Sequence, residues 1–188
     1  MTNLMTDAAL IQRARRGDQK AFGELVLRYR RPVLSVAYRM TGDAASAEDI
    51  AQAAFLQAWQ QLGTLHESAA LKGWLYRLAV NASIDHLRRN PAPADLSDEA
   101  ADPAPTPEGE ALERERAEAV RRAVLALPEQ CRAALILREF EGLSYKEVAQ
   151  ALAIPLGTVM SRLSYARGLL RAALGPYLAY TSRSLEER

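Results

Sequence analysis

The apolar residues of this chain recur at helical spacing over most of its length, and this pattern predicts an all-α protein. The longest stripe consists of Phe22, Leu25, Val26, Tyr29, Val33, Val36, Ala37 and Met40. Four helices are predicted before residue 90, over 7–16, 19–40, 46–62 and 69–89. Thr6 and Asp18 are suited to cap the first two helices, and Ser46 with Asp49 the third. Because Pro32 lacks a backbone N–H, we expect a bend in the second helix.

Four further helices are predicted after residue 109, and the last two form a helix-turn-helix. Residues 110–127 make a highly charged helix, and Pro128 opens the next one, which stops at Gly142. Ser144 and Glu147 have the S-x-x-E spacing of a capping box, which predicts a short helix beginning at Tyr145.

The final helix is basic and has two distinct sides. Pro155 suits its first turn, and we expect Gly175 and Pro176 to end it. Its predicted buried stripe is Val159, Leu163, Ala166 and Leu170, and the opposite side carries Met160, Ser164, Arg167 and Arg171. A helix that points small polar and basic residues outward can enter a DNA major groove. An ordinary αα-hairpin with a solvated basic face has the same pattern, so it stays an alternative.

The segment between the two groups of helices differs from both in composition. Residues 90–110 hold five of the nine prolines, are rich in Ala, Asp and Glu, and have no helical stripe. Residues 92–119 carry 2 basic and 9 acidic side chains, whereas 1–91 and 120–188 each have a net charge of +4. We therefore expect two small helical domains, 1–90 and 110–175, a flexible acidic Pro/Ala-rich linker over 91–109 and a tail over 176–188. Two basic blocks allow two separate contacts with a polyanion.

The composition argues against several classes of protein. No apolar run approaches the length of a transmembrane span, and the N-terminus lacks the apolar core of a signal peptide. Cys131 is the only cysteine and lies in an apolar helical pattern, which suits a reducing cytoplasm and a place in the core. His66 and His86 form no metal cluster. We predict no catalytic residue, no metal and no cofactor.

Two helices of the first domain carry a second face besides their core stripe. In the third helix, Phe55 and Trp59 form an apolar pair, which indicates either full burial or a surface kept for a partner. The fourth helix carries a polar stripe made of Arg77, Asn81 and Arg88. Such side chains suit phosphates and base edges, although a solvated face has the same pattern. Trp74 lies beside this stripe, where it would either stack on a base or pack in the core.

Taken in order, four runs of the sequence resemble bacterial RNA polymerase sigma factors, specifically the compact extracytoplasmic-function group of the sigma-70 family. The runs are RGDQKAFGELVLRY, SAEDIAQAAFLQAW, WLYRLAVNASIDHLRR and LPEQCRAALILREFEGLSYKEVAQALAIPLGTVMSRLSYAR. The resemblance covers about residues 7–175 and implies a specificity subunit rather than an enzyme. Its first domain would bind the β′ clamp of core RNA polymerase and open the promoter −10 element. Its second domain would meet the β flap and read the −35 element.

The resemblance also assigns residues of the first domain. The positions that match clamp binding are Asp49, Gln52, Phe55 and Trp59. Family members often carry an acid where Ala53 stands, so this chain departs from the family at one clamp-contact position. The positions that match the −10 face are Leu65, Trp74, Arg77, Asn81 and Arg88, and the loop 65–71 matches the segment that captures a flipped-out base. Relatives often have an aromatic at Leu65, where stacking is worth about 1–3 kcal/mol per base, so we expect opening to require a well-matched promoter.

In the second domain, the resemblance places −35 readout on the last helix. The residues concerned are Thr158, Met160, Ser161, Arg162, Ser164, Tyr165, Arg167 and Arg171. Relatives commonly carry arginine where Met160 stands. Since arginine pairs bidentately with guanine and methionine does not, we expect a different base preference and some specificity from DNA shape. Arg171 is expected to touch phosphate.

The resemblance implies one more partner, and two other functions fit parts of the pattern. Members of this group are often held inactive by an anti-sigma factor, frequently a membrane-anchored one. A homodimeric transcription regulator could use the same helix-turn-helix, but the polar stripe and the Phe55–Trp59 pair fit it poorly. A small helical enzyme acting on a small molecule would need a Ser/His/Asp set, a metal cluster or a phosphate loop, and the sequence has none.

Overall fold

The structure, a computed structural model, describes the backbone of residues 5–65, 70–90 and 108–186 and the side chains of 5–65, 70–90 and 114–175. Every regular element in these ranges is helical, which confirms the all-α prediction. The helices are α1 (Asp7–Ala14), α2 (Gln19–Thr41), α3 (Ala44–Gln61), α4 (Leu71–Arg89), α5 (Glu108–Leu125), α6 (Glu129–Leu135), α7 (Tyr145–Leu152) and α8 (Leu156–Glu186). A short 3₁₀ turn, Leu62–Thr64, follows α3, and a π-helical segment, Ile136–Phe140, follows α6.

Side-chain caps set the starts of the first three helices. Thr6 accepts a hydrogen bond from the Ala9 N–H, and Asp18 accepts one from the Ala21 N–H, as the sequence predicted. The predicted start of the third helix was wrong. Asp43 caps it instead, accepting from the Ser46 N–H over 2.6 Å, and hydrogen bonding with the Ser46 side chain and then its N–H lowers the pKa of Asp43. A carboxylate is the stronger acceptor, so the helix begins two residues earlier.

The end of α8 also differs from the prediction. The helix continues through Gly175 and Pro176 to Glu186 instead of stopping there. A proline inside a helix leaves the carbonyl of the residue four positions earlier without its donor. That residue is Ala172, which is exposed, so water can replace the missing N–H. Residues 91–107 of the predicted linker lie outside the described part of the chain, and α5 begins at Glu108.

The two groups of helices pack against each other and share one apolar cluster. Helices α2, α3 and α4 form the centre of the first group, and α7 packs on α4 while α5 and α6 pack on α2. Leu75 and Tyr76 of α4 belong to the same buried cluster as Leu143 and Val148 of the second group. The described structure is therefore a closed arrangement of the two domains.

A buried arginine of α6 holds the end of α2 in this arrangement. Arg132 is only 8% exposed and donates to the backbone carbonyls of Met40 and Leu125, and to that of Leu127 over 3.0 Å. Its burial lowers the pKa of the guanidinium. A second arginine, Arg121, donates to the Gly42 carbonyl over 3.0 Å. Both side chains come from the second domain and bind backbone of the first.

A carboxylate forms a third polar link between the domains. Glu141 follows the π-helical segment and accepts hydrogen bonds from the Tyr76 hydroxyl over 2.5 Å and from the Ser35 hydroxyl over 3.1 Å. Lys72 donates to the Glu141 backbone carbonyl over 3.4 Å. Burial, followed by the bond to Glu141, raises the pKa of Tyr76 well above its ordinary value, so its hydroxyl stays a donor.

Candidate nucleic-acid interface

The helix-turn-helix is built as its capping pattern predicted. The Ser144 hydroxyl accepts from the Glu147 N–H over 3.3 Å, and the Glu147 carboxylate accepts from the Ser144 N–H over 2.7 Å. Both bonds together confirm the capping box. Ala153 ends α7 with a φ of 54°, in the left-handed region, so the chain turns sharply before α8. Of the stripe predicted to be buried, Leu170 is partly exposed and the rest, Val159, Leu163 and Ala166, is fully buried.

The opposite side of α8 is open and carries the predicted −35 residues. Gly157, Ser161, Ser164 and Gly168 are exposed and run down its middle at helical spacing. Met160 and Tyr165 flank this line on either side and are 53% and 58% exposed. Arg167 and Arg171 are also exposed, and Thr158 and Arg162 are half-buried. The small residues in the middle allow another surface to approach the helix closely.

Two of the arginines on α8 are already held by neighbouring helices. Arg167 donates to the Glu139 carboxylate over 2.8 Å and to the Tyr145 hydroxyl over 3.1 Å, and these bonds raise its pKa. Arg162 donates to the Gln130 side chain over 3.1 Å. Because these bonds use some of their N–H donors, both guanidinium groups have fewer donors left to bind a base edge.

The exposed face of α3 differs from the one predicted. Asp49 and Gln52 are exposed, as expected. Phe55 is only 8% exposed and belongs to the core, and the Trp59 ring packs edge-on against Phe22 with centroids 5.0 Å apart. The apolar side chain that reaches solvent here is Leu56, which is 60% exposed. It lies four residues after Gln52 and seven after Asp49, so helical spacing was the signal that would have found it.

The predicted −10 residues fall into a covered pair and an accessible set. Leu65 and Trp74 are 4% and 7% exposed, so neither presents a free surface in the closed arrangement. They line a cleft of about 450 Å³ between the domains, together with Arg77 and with Gln150 of α7. Residues 66–69, most of the predicted base-capturing loop, lie outside the described part of the chain.

The accessible set lines a separate polar cleft. Asn81 and Arg88 are exposed and border a space of about 490 Å³ together with Gln57, Arg89 and, across the domain junction, Gln130. The Arg88 guanidinium lies 3.9 Å from the Glu129 carboxylate, a distance at which a salt bridge is weak. A polyanion could therefore displace this contact at little cost.

Two family models and a set of relatives match the chain. The models are Sigma-70 region 2, over residues 25–91, and Sigma-70, region 4, over residues 117–170. The RNA polymerase sigma-H factor of Pseudomonas aeruginosa is 39% identical, over 92% of this chain and 95% of its own length. The ECF RNA polymerase sigma-E factor of Escherichia coli K12 is 35% identical, over 95% of this chain and 99% of its own.

The chain belongs to the extracytoplasmic-function group of the sigma-70 family. As a sigma factor it directs core RNA polymerase to promoters in transcription initiation, which confirms the resemblance read from the sequence. Helix α4 lies inside the region 2 match, and α7 with the first part of α8 lies inside the region 4 match.

The sigma factor also shares its fold with solved structures. One is CnrH in complex with the cytosolic domain of CnrY, with a TM-score of 0.68 and 25% identity over 90% of this chain and 97% of that one. Another is the sigma factor RpoE of Bartonella quintana with the anti-sigma factor NepR, with a TM-score of 0.62 and 21% identity over 83% and 98%.

The described residues provide neither a membrane span nor a metal site. None of the described helices combines the length and the apolarity that crossing a membrane requires. Within the same residues, no three His, Cys, Asp or Glu side chains are grouped so as to hold a metal ion.

Proposed function

We propose that the two domains of this sigma factor divide promoter recognition between them. Residues 1–90 bind the polymerase clamp and open the −10 element, residues 110–175 read the −35 element, and 91–109 connect them. The observation that carries this proposal is the open face of α8, whose small central residues Ser161 and Ser164 lie between the exposed Met160 and Tyr165. The protein acts in the cytoplasm as a binding subunit with no catalytic residue, cofactor or metal of its own.

The contact with the polymerase clamp is made by one face of α3. Asp49, Gln52 and Leu56 lie on this face and are exposed. An apolar side chain between polar neighbours is typical of a binding site. Phe55 and Trp59 act beneath this surface, because their packing in the core fixes the orientation of the helix.

The closed arrangement corresponds to a resting state of the sigma factor. Leu65 and Trp74 are buried in it and line the cleft between the domains, so we expect the second domain to move away before −10 DNA reaches them. An anti-sigma factor that holds the domains together would keep the protein inactive. The sigma factor RpoE of Bartonella quintana was solved in complex with the anti-sigma factor NepR, and its fold is similar to this one.

Run-off transcription with purified core RNA polymerase tests this function. The full chain is added to core enzyme with a library of promoter fragments, and core enzyme alone serves as the control. We expect defined transcripts that appear only when the chain is present and share a −35 and a −10 element. Specific binding of the free chain to duplex DNA, without any effect on core polymerase, would instead identify a homodimeric regulator.

A further inference from the structure

The first turns of α8 present apolar side chains on the face that the proposed function assigns to DNA. Met160 is 53% exposed and Leu156, one turn earlier on the same edge, is 40% exposed. Two exposed apolar residues at i and i+4 form a small continuous patch, whereas single exposed apolar residues are ordinary. Ser164 lies one turn further along, and Arg167 and Arg171 continue the same edge with positive charge.

Two arginines of α8 are bonded within the protein. Arg162 donates to Gln130, and Arg167 donates to Glu139 and Tyr145. Met160 has no hydrogen-bond donor and only a weakly accepting sulfur. The group available to meet a base edge at this point of the helix is therefore apolar.

We infer that Met160, supported by Leu156, reads the 5-methyl group of a thymine in the −35 element. This inference rests on the proposed function of α8. In the major groove, thymine is the base that offers an apolar group, and the other bases offer hydrogen-bonding atoms at their edges. Against guanine, Met160 would leave two acceptors without a donor, which is unfavourable when the site is dehydrated. The flexible thioether side chain adapts to the position of the methyl group.

Deoxyuridine provides the test, because it differs from thymidine by that methyl group alone. A promoter is first selected by run-off transcription from a library randomised in the −35 element. Each −35 thymine is then replaced in turn by deoxyuridine, and binding of the complex of core polymerase and sigma factor is measured. We expect one position at which the replacement weakens binding about fourfold, the effect of one buried methyl group.

The variant Met160→Ala links this effect to the side chain. It should bind the thymine promoter about fourfold more weakly than the wild type and should not distinguish thymine from uracil at that position. Met160→Arg should shift the selected base toward guanine. Leu27→Ala is the matched control, since it removes a 79% exposed apolar side chain from α2 and should retain the full response to uracil.

Three results would overturn the inference. One is a selected −35 element without thymine, and another is equal binding of thymine and uracil at every position; either leaves the proposed function intact if transcription remains promoter-directed. The third is an undiminished response to uracil in Met160→Ala, which would assign the methyl contact to another residue. Failure of the chain to direct transcription at all would overturn the proposed function as well.

Discussion

Tyr76 and Glu141 lie 65 residues apart and join the two domains through a hydrogen bond of 2.5 Å from the phenol to the carboxylate. Tyr76 is 1% exposed, and the same carboxylate also accepts from Ser35 of α2. One acidic side chain of the second domain thus binds two helices of the first. The strength of this link should influence how often the domains separate.

Removing the hydroxyl in Tyr76→Phe should favour the open arrangement. A hydrogen bond to a charged group contributes about 1.5–3 kcal/mol, so the free energy of unfolding should fall by an amount in this range. Small-angle X-ray scattering should show a larger radius of gyration. Tyr145→Phe is the control: it removes a hydroxyl that bonds Arg167 inside the second domain and should leave the radius unchanged. If both variants scatter like the wild type, the Tyr76 bond does not hold the domains together.

Gly42 should tolerate alanine less well than Gly17 does. Both have positive φ, 78° and 88°, which costs an alanine about 1 kcal/mol. At Gly42 the added methyl carbon would also lie 2.5 Å from a Leu125 methyl, whereas nothing lies within 4 Å at Gly17. Chemical denaturation should therefore show a larger loss of stability for Gly42→Ala. Equal losses would mean that Leu125 moves aside freely.

Leu56→Asp should weaken binding to core polymerase without unfolding the protein. The side chain is 60% exposed, and a buried leucine contact contributes about 1.5–3 kcal/mol, so affinity should fall at least tenfold. Fluorescence anisotropy of labelled sigma factor measures this loss. Leu27→Asp, which changes a leucine on α2 that is 79% exposed, should bind normally. Phe55→Ala should instead lower the melting temperature, because Phe55 is buried.

The capping box of α7 should contribute stability that depends on pH. Hydrogen bonds from Ser144 lower the pKa of Glu147 below its ordinary value. Stabilisation from a carboxylate with a lowered pKa is complete above its unfolded-state pKa and is lost as pH falls through the folded-state value. Ser144→Ala should destabilise the chain by about 1 kcal/mol at neutral pH. In urea titrations, the difference from the wild type should shrink in acid. A constant difference would show that Glu147 is not coupled to the cap.

Local signals made much of the fold predictable, and long-range contacts account for part of what was missed. The capping box is encoded by Ser144 and Glu147, three residues apart, so it could be identified from the sequence. The Tyr76–Glu141 bond forms only when two distant segments meet, and no spacing rule indicates it. The prediction that α8 ends at Pro176 was wrong. The rule that proline ends a helix does not consider whether water can reach the Ala172 carbonyl.

In the candidate site, too, local spacing predicted some features, and others depend on contacts between distant segments. Placing most of the predicted −35 residues on one exposed helix face needed only helical periodicity. Leu65 and Trp74 are buried beside a cleft that is lined by both domains, and periodicity does not contain the position of the second domain. Phe55 and Leu56 are adjacent in sequence. Helical spacing groups Leu56 with Asp49 and Gln52, but which side of α3 is buried depends on its packing against α2 and α4.

In the closed arrangement, Arg132 stabilises the C-terminal end of helix α2. Met40 is among the last four residues of that helix, whose carbonyls have no partner within it and carry the negative end of the helix dipole. The guanidinium that satisfies the Met40 carbonyl comes from the other domain. When the domains part, the end of α2 loses both a hydrogen bond and a neutralising charge, so its last turn should fray. Opening for promoter DNA should therefore loosen the last turn of α2 inside the first domain.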